Sequence, residues 1–312
     1  MLKFIAWRIA QLPLVLAIIY LITFMLVWVV PGSPFGDPER KLDPSAEKSL
    51  REEFHADSAL SFLSYYPARI ILHGDLGPSL NYHGWSVNDV LRYSLPVSVA
   101  LGLEAIFIAT VVGCVVGVTA AVHRRGFLDY CSLALALVGI SVPSFVIAGL
   151  LLVVFSDLLH WLPSGGWGTL RQMILPGIAL SLLPMAYIAR LTRAAMLDNL
   201  GNDFVRTARA KGLSRQTVIW KHAFRNAFLP VFTYLGPAAA YTMTGSFVIE
   251  TIFNIPGLGQ HFVNGVKNRD QTLILGTVLV YAVVLLTLNL LVDIGYAVID
   301  PRIDVTQRPP NP

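Results

Sequence analysis

The sequence predicts an all-α membrane protein of about six transmembrane helices. Of its 312 residues 55% are hydrophobic and 13% charged, whereas a soluble domain carries about 25% charged residues. Several apolar runs approach about 20 residues, the length a helix rising about 1.5 Å per residue needs to cross the hydrocarbon core. The basic residues gather in alternate connections, the pattern of the positive-inside rule. That clustering also explains the net charge of +4 without nucleic acid as a partner.

The first run, Ile9 to Val30, follows Lys3 and Arg8. It is too long for a secretory h-region and lacks a small-x-small cleavage site, so it reads as an uncleaved first helix. The others are Leu95 to Val122, Tyr130 to Phe155, Met173 to Ala189, Leu229 to Val248, and Leu273 to Ile299. Pro143, Pro176, Pro184 and Pro237 interrupt them; each removes a helical hydrogen bond and can kink its helix.

Cations follow the second run (His123-Arg124-Arg125) and the fourth (Arg190, Arg193, Arg206, Arg209, Lys211, Arg215, Lys221, Arg225), and occur at both ends (Lys3, Arg8, Arg302, Arg308). Both termini and the loop at 190–228 are therefore expected to be cytoplasmic. The organisation expected is a first helix at 1–31, a long periplasmic segment at 32–93, a five-helix core at 94–300 and a cytoplasmic tail at 301–312. The long segment reads as a charged helix from Ser45 to Phe54, the run Phe62-Leu63-Ser64-Tyr65-Tyr66, and a turn at His73 to Pro78.

Cys114 and Cys131 lie in or beside apolar runs and read as buried small side chains, and the seven histidines show no metal-ligand spacing. Glu104 falls deep in the second run and Asp293 in the sixth. A carboxylate there should face the bundle or a water-filled path, so each is either a substrate-path residue or a hydrogen-bonded structural acid. Pro143 joins them as a possible path residue.

The most informative stretch is Asp203 to Pro230, "DFVRTARAKGLSRQTVIWKHAFRNAFLP". It reads as two short helices broken at Gly212, which suits a left-handed C-cap, with Ser214 as the next N-cap. Thr217 stands where a capping box would want Glu or Gln. Phe204, Val205, Ala208 and Leu213 fall near helical spacing, while Arg206, Arg209 and Lys211 take the other positions. Pattern alone leaves two readings open, docking on a partner protein or lying on anionic lipid.

This stretch resembles the coupling loop of bacterial ABC importer permeases, in the form found in the oligopeptide and dipeptide permease family. "RTARAKGL" at Arg206 to Leu213 carries the likeness, and the glutamate of the broader Glu-Ala-Ala pattern is absent. The resemblance covers the whole chain: "MLKFIAWRI", Pro31 to Pro34, "HGDLGPS", "SVND", "HWLPSGGW", "GSFVIETIFNIPGLGQHFVNGVKNRD" and "YAVIDPRI" are similar to the B subunits of that family.

The resemblance implies an ABC type I importer permease fold in the bacterial inner membrane and half of an oligopeptide pathway, completed by a second homologous permease. Dipeptides, glutathione or nickel complexes are alternative cargoes. Two cytoplasmic ATPase subunits, binding ATP and Mg, would dock on Asp203, Phe204, Val205, Arg206, Thr207, Ala208, Arg209, Ala210, Lys211, Gly212, Leu213, Ser214 and His222. On this reading Gly212→Trp or Ala208→Asp abolishes transport while the protein stays inserted. The outer segment Phe253, Pro256, Gly257, Leu258 and Gly259 would face an extracytoplasmic peptide-binding protein. As a transport subunit the chain is expected to be neither an enzyme nor the holder of a cofactor, and it is not the ATPase, for it has no G-x-x-x-x-G-K-[ST] motif. Two rivals remain: a stand-alone secondary carrier, and an intramembrane serine protease using Ser246 with His222 or His261. The predicted topology puts those histidines in loops on opposite sides, beyond the hydrogen-bond reach catalysis needs.

Overall fold

The computed structural model describes residues 2–29, 58–79, 82 and 84–299, with 45, 48, 49 and 52 besides. Most of Ser45 to Phe54, all of Pro31 to Pro34 and the tail at 301–312 lie outside the described residues. The helices are α1 (Leu2–Val29), α2 (Ala59–His73), α3 (Val87–Val122), α4 (Phe127–Ser141), α5 (Ser144–Leu151), α6 (Leu170–Leu200), α7 (Asp203–Ala210), α8 (Arg215–Thr217), α9 (Phe224–Ile252), α10 (Leu258–Lys267) and α11 (Gln271–Ile299). π-Helical turns at Leu152–Leu158 and Val218–Ala223 continue α5 and join α8 to α9.

Among the described residues four helices are long and apolar enough to cross a membrane: Ala6–Val29, Val87–Val122, Leu170–Leu200 and Gln271–Gly295. Phe127–Ser141 with Ser144–Leu158 makes a fifth if the pair is one span, but it bends by 108°. The run expected from Tyr130 to Phe155, interrupted by Pro143, is thus broken at Val142 and Pro143. A residue before proline is pushed out of the helical region, and Val142 sits at φ −95°, ψ 124°. Pro176 and Pro184 lie inside an unbroken α6 and Pro237 inside α9. Helix α9 has 29 residues, about 44 Å at helical rise, but its prolines, threonines and tyrosines dilute the apolar signal.

The chain divides into two compact units, Met1–Ser98 with Asn254–Thr287, and Val99–Phe253 with Leu288–Pro312. In the first, Tyr20 and Phe24 of α1 pack with Phe62 and Tyr66 of α2 and Leu275 of α11. A second cluster joins Leu76, Val87, Val90, Leu91, Leu258 and Leu273. Asp270 caps α11 by accepting from the Leu273 amide at 3.0 Å, and takes the Ser79 hydroxyl at 2.7 Å.

His261 on α10 packs edge-on to Tyr82, its Nδ1 2.7 Å from the Tyr82 hydroxyl. Burial pushes its pKa down, because desolvation disfavours the imidazolium. Protonation therefore opposes folding. The unit should hold its stability above the unfolded histidine value of about 6.5 and lose some as pH falls from there through the lower folded value. Melting curves at several pH values should show this loss in wild type and less of it in His261→Gln; equal losses would contradict it.

In the second unit α6 is the hub, packed by α4, α5 and α9. Helix α3 meets it through Gly113 and Gly117. A Cβ on Gly113 would lie 2.9 Å from the Met185 carbonyl oxygen, and one on Gly117 2.6 Å from that of Ala189. Helices that meet without a hydrophobic drive use small residues so that backbones approach closely. Beside them Cys114 is buried, 3.8 Å from the Thr192 hydroxyl.

Candidate functional site: a helical hairpin at 203–223

The hairpin forms where the sequence predicts. Helix α7 ends at Ala210 with Lys211 as its C-cap, and Gly212 takes φ +76°, a conformation that costs an L side chain about 1–2 kcal/mol. The Ser214 side chain then caps α8 by accepting from the Thr217 amide at 3.3 Å. A Cβ on Gly212 would meet open space, so Gly212→Ala tests backbone conformation alone. Its expected effect is about tenfold faster amide exchange across 203–223, the equivalent of about 1.4 kcal/mol. Unchanged exchange would remove the conformational role of this glycine.

The hairpin is not a free arm. Val205, Ala208, Val218 and Ala223 are buried in one cluster with Val118 and Ala121 at the end of α3, Met196 of α6 and Ala227 of α9. Any displacement of the hairpin therefore bears on three long helices. The opposite side is open: Phe204 is 38% exposed, Leu213 and Trp220 are 40% exposed, and Asp203, Arg206, Thr207, Arg209, Ala210, Lys211 and Ser214 are exposed as well. His222 is half-buried. A cleft of about 400 Å³ lies between Val122, Leu200, Arg209, Leu213, Arg215, Val218 and Ile219.

This geometry corrects one expectation. Ala208 is 4% exposed and packs inward, so Ala208→Asp would bury a charge in the hairpin's own support and test folding rather than docking. Phe204, Arg206 and Leu213 are among the residues with surface to offer, whereas Val205 is buried like Ala208.

Just before the hairpin, Arg193 of α6 grips Asp129 of α4 through two bonds of 2.6 and 2.9 Å, and Asp129 also accepts the Arg125 amide at 2.9 Å. Sequence reasoning missed this clasp because the partners are 64 residues apart. It also missed the Gly113-x-x-x-Gly117 contact, although that spacing was visible in an apolar run.

The possible path residues fall as follows. Glu104 lies against α6: its Oε1 is 2.8 Å from where a Cβ on Gly177 would stand, and its buried Oε2 has no hydrogen-bond partner. Pro143 lines a cavity of about 90 Å³ with Gly139, Ala179 and Tyr241. Both thus adjoin the same stretch of α6, whereas Asp293 is a half-buried residue of α11. In the outer segment Phe253, Gly257, Leu258 and Gly259 are buried, whereas Pro256 is exposed, as is Asn254 beside it, with Leu258 and Gly259 opening helix α10. Ser246 is buried and its hydroxyl donates to the Met243 carbonyl at 2.7 Å.

Residues 113–305 match the family model "Binding-protein-dependent transport system inner membrane component". The chain belongs to this family. It is 44% identical over 308 residues to the dipeptide transport system permease protein DppB of Bacillus subtilis, covering 99% of this chain and 100% of that one. It is likewise 44% identical over 305 residues to the oligopeptide transport system permease protein OppB of Escherichia coli K12, covering 97% and 99%. An inward-facing structure of the MetNI methionine ABC transporter matches 68% of the chain, and 96% of its own, with TM-score 0.56 and 20% identity. That last likeness carries the fold alone, and the fold is that of a type I ABC importer permease. The chain is a transmembrane permease subunit, and the secondary-carrier and protease readings fall away.

Proposed function

We propose that this permease forms half of an oligopeptide pathway in the bacterial inner membrane and couples it, through the 203–223 hairpin, to ATP hydrolysis in partner subunits. The observation that carries the proposal is the two-sided hairpin, with one face anchored to α3, α6 and α9 and the other open. A second homologous permease completes the path. Two cytoplasmic ATPase subunits hold ATP and Mg, and this chain needs no cofactor of its own. An extracytoplasmic peptide-binding protein delivers cargo, with Asn254 and Pro256 as the exposed residues of the 253–259 segment. The termini and the loop at 190–228 face the cytoplasm, where their cations belong.

Moving a two-state equilibrium from 1:99 to 99:1 needs about 5.5 kcal/mol of differential binding. A hairpin packed on three helices can pass such a load to the path; a helix lying loosely on lipid cannot. Purification of the tagged permease in mild detergent, followed by mass spectrometry, should recover a second permease and an ATPase. Recovery of the chain alone, under conditions that keep a known importer intact, would overturn the proposal. The dipeptide and oligopeptide relatives are equally identical to this chain. Uptake of labelled dipeptides against longer peptides by the reconstituted complex decides the cargo, and transport of dipeptides alone would replace the oligopeptide reading.

A further inference from the structure

We infer that the C-terminal half of α2 dips into the bilayer, in the leaflet at the C-terminal end of α1, and rests Ile71 and Leu72 on lipid acyl chains. This moves part of the segment expected to be periplasmic into the membrane. It rests on α1 and α11 being membrane spans and not on the identity of the cargo.

Depth follows from ring pairings along α1. Phe62 stacks near Trp28 and Phe24, with centroids 6.0 and 6.1 Å apart, and Tyr66 stacks on Tyr20 at 6.3 Å. Helix α2 therefore runs back down α1, away from the Val29 end. Tyr20 is nine residues in from Val29, about 14 Å at helical rise. A second ruler agrees in direction: Leu275, in the same cluster, is four residues inside the start of α11, about 6 Å. By the α1 ruler Tyr66 stands below the Val29 end; on α11 its hydroxyl lies 3.3 Å from the carbonyl of Thr272, one residue inside that helix, and α2 continues to His73 beyond it.

The side of α2 turned away from α1 suits lipid. Leu60, Ser64, Ala68, Ile71 and Leu72 are exposed, Ile71 by 81% and Leu72 by 75%, and none is charged. The Ser64 hydroxyl is satisfied within its own helix, at 3.2 Å from the Leu60 carbonyl and 3.1 Å from that of Ser61. Helix α1 likewise exposes apolar side chains at Ile22, Met25 and Leu26.

Backbone groups in a bilayer must find partners within the protein, and here they do. Pro67 lacks the amide that would bond the Leu63 carbonyl; the Tyr20 hydroxyl donates to that carbonyl instead, at 3.2 Å. In the turn that follows, the Gly74 amide reaches Ile70 at 2.9 Å. Asn88 donates to the Gly74 carbonyl at 2.7 Å and accepts the Leu76 amide at 2.8 Å. The Tyr66 hydroxyl lies 3.0 Å from the Leu76 carbonyl. The helix's one arginine, Arg69, is paired with Asp75 at 2.6 Å.

The test places a nitroxide on Leu60→Cys, Ile71→Cys or Leu72→Cys, with Cys114 and Cys131 replaced by alanine. The permease, with the subunits that purify with it, is reconstituted in phosphatidylethanolamine–phosphatidylglycerol nanodiscs. Collisions with molecular oxygen should exceed those with a water-soluble nickel chelate at Ile71 and Leu72, and the oxygen-to-nickel ratio should rise from Leu60 to Ile71. A label at Arg215, on the exposed hairpin, should show the reverse preference. Nickel predominating at Ile71 and Leu72 would put them in water, and suppression of both probes would put a protein partner there; either overturns the inference. Equal ratios at Leu60 and Ile71 would mean a helix lying flat on the surface, and would overturn the descent.

Discussion

Phe204→Asp should release the ATPase from the permease and abolish uptake while leaving the permease folded. Phe204 is an apolar side chain held outward at 38% exposure on a helix whose Val205 and Ala208 face in. Truncating a central aromatic anchor of an interface costs about 2 kcal/mol or more, hence about 30-fold or more in affinity. The partner's apolar pocket would also have to take a carboxylate. Substitution at an exposed site away from the core moves stability by about 0.5 kcal/mol or less, so the melting point of the isolated permease should stay near wild type. Val205→Asp is the contrasting control. It puts a charge into the cluster that anchors the hairpin and should lower the melting point itself. ATPase retained at wild-type levels by Phe204→Asp, with normal uptake, would show that the open face is not the docking face.

The second large effect is expected at the clasp before the hairpin. Asp129→Ala leaves Arg193 without its carboxylate and frees the Arg125 amide, in a turn where Arg125 holds φ +63°. Breaking a deeply buried pair costs about 3–5 kcal/mol. Arg193 keeps 25% of its side chain exposed although Asp129 keeps 3%, so water screens part of the loss and about 2 kcal/mol is expected. Thermal unfolding in detergent should show a clear fall in melting point for Asp129→Ala. It should be smaller for the double variant with Arg193→Met, which leaves no stranded cation. A melting point unchanged by Asp129→Ala would mean the clasp holds nothing that solvent does not.

Composition and periodicity alone determined the membrane class, the long first helix and the break at Gly212 with its cap at Ser214, because these depend on local quantities. Chain length against bilayer thickness, the missing Cβ of glycine and the reach of a serine hydroxyl are the same whatever packs around them. The string at Arg206 to Leu213 likewise carried the family. Tertiary structure decided the rest. Pro143 breaks its helix by 108° while α6 runs on through Pro176 and Pro184. One residue type thus has two outcomes, since a proline only removes a bond and its surroundings set whether the helix yields. Which side of α7 faces inward was also undecided, because Phe204 and Val205 are both apolar and only the ends of α3, α6 and α9 select Val205. The Asp129–Arg193 pair and the descent of α2 along α1 join residues dozens of positions apart, and no local pattern records which distant groups a fold brings within reach.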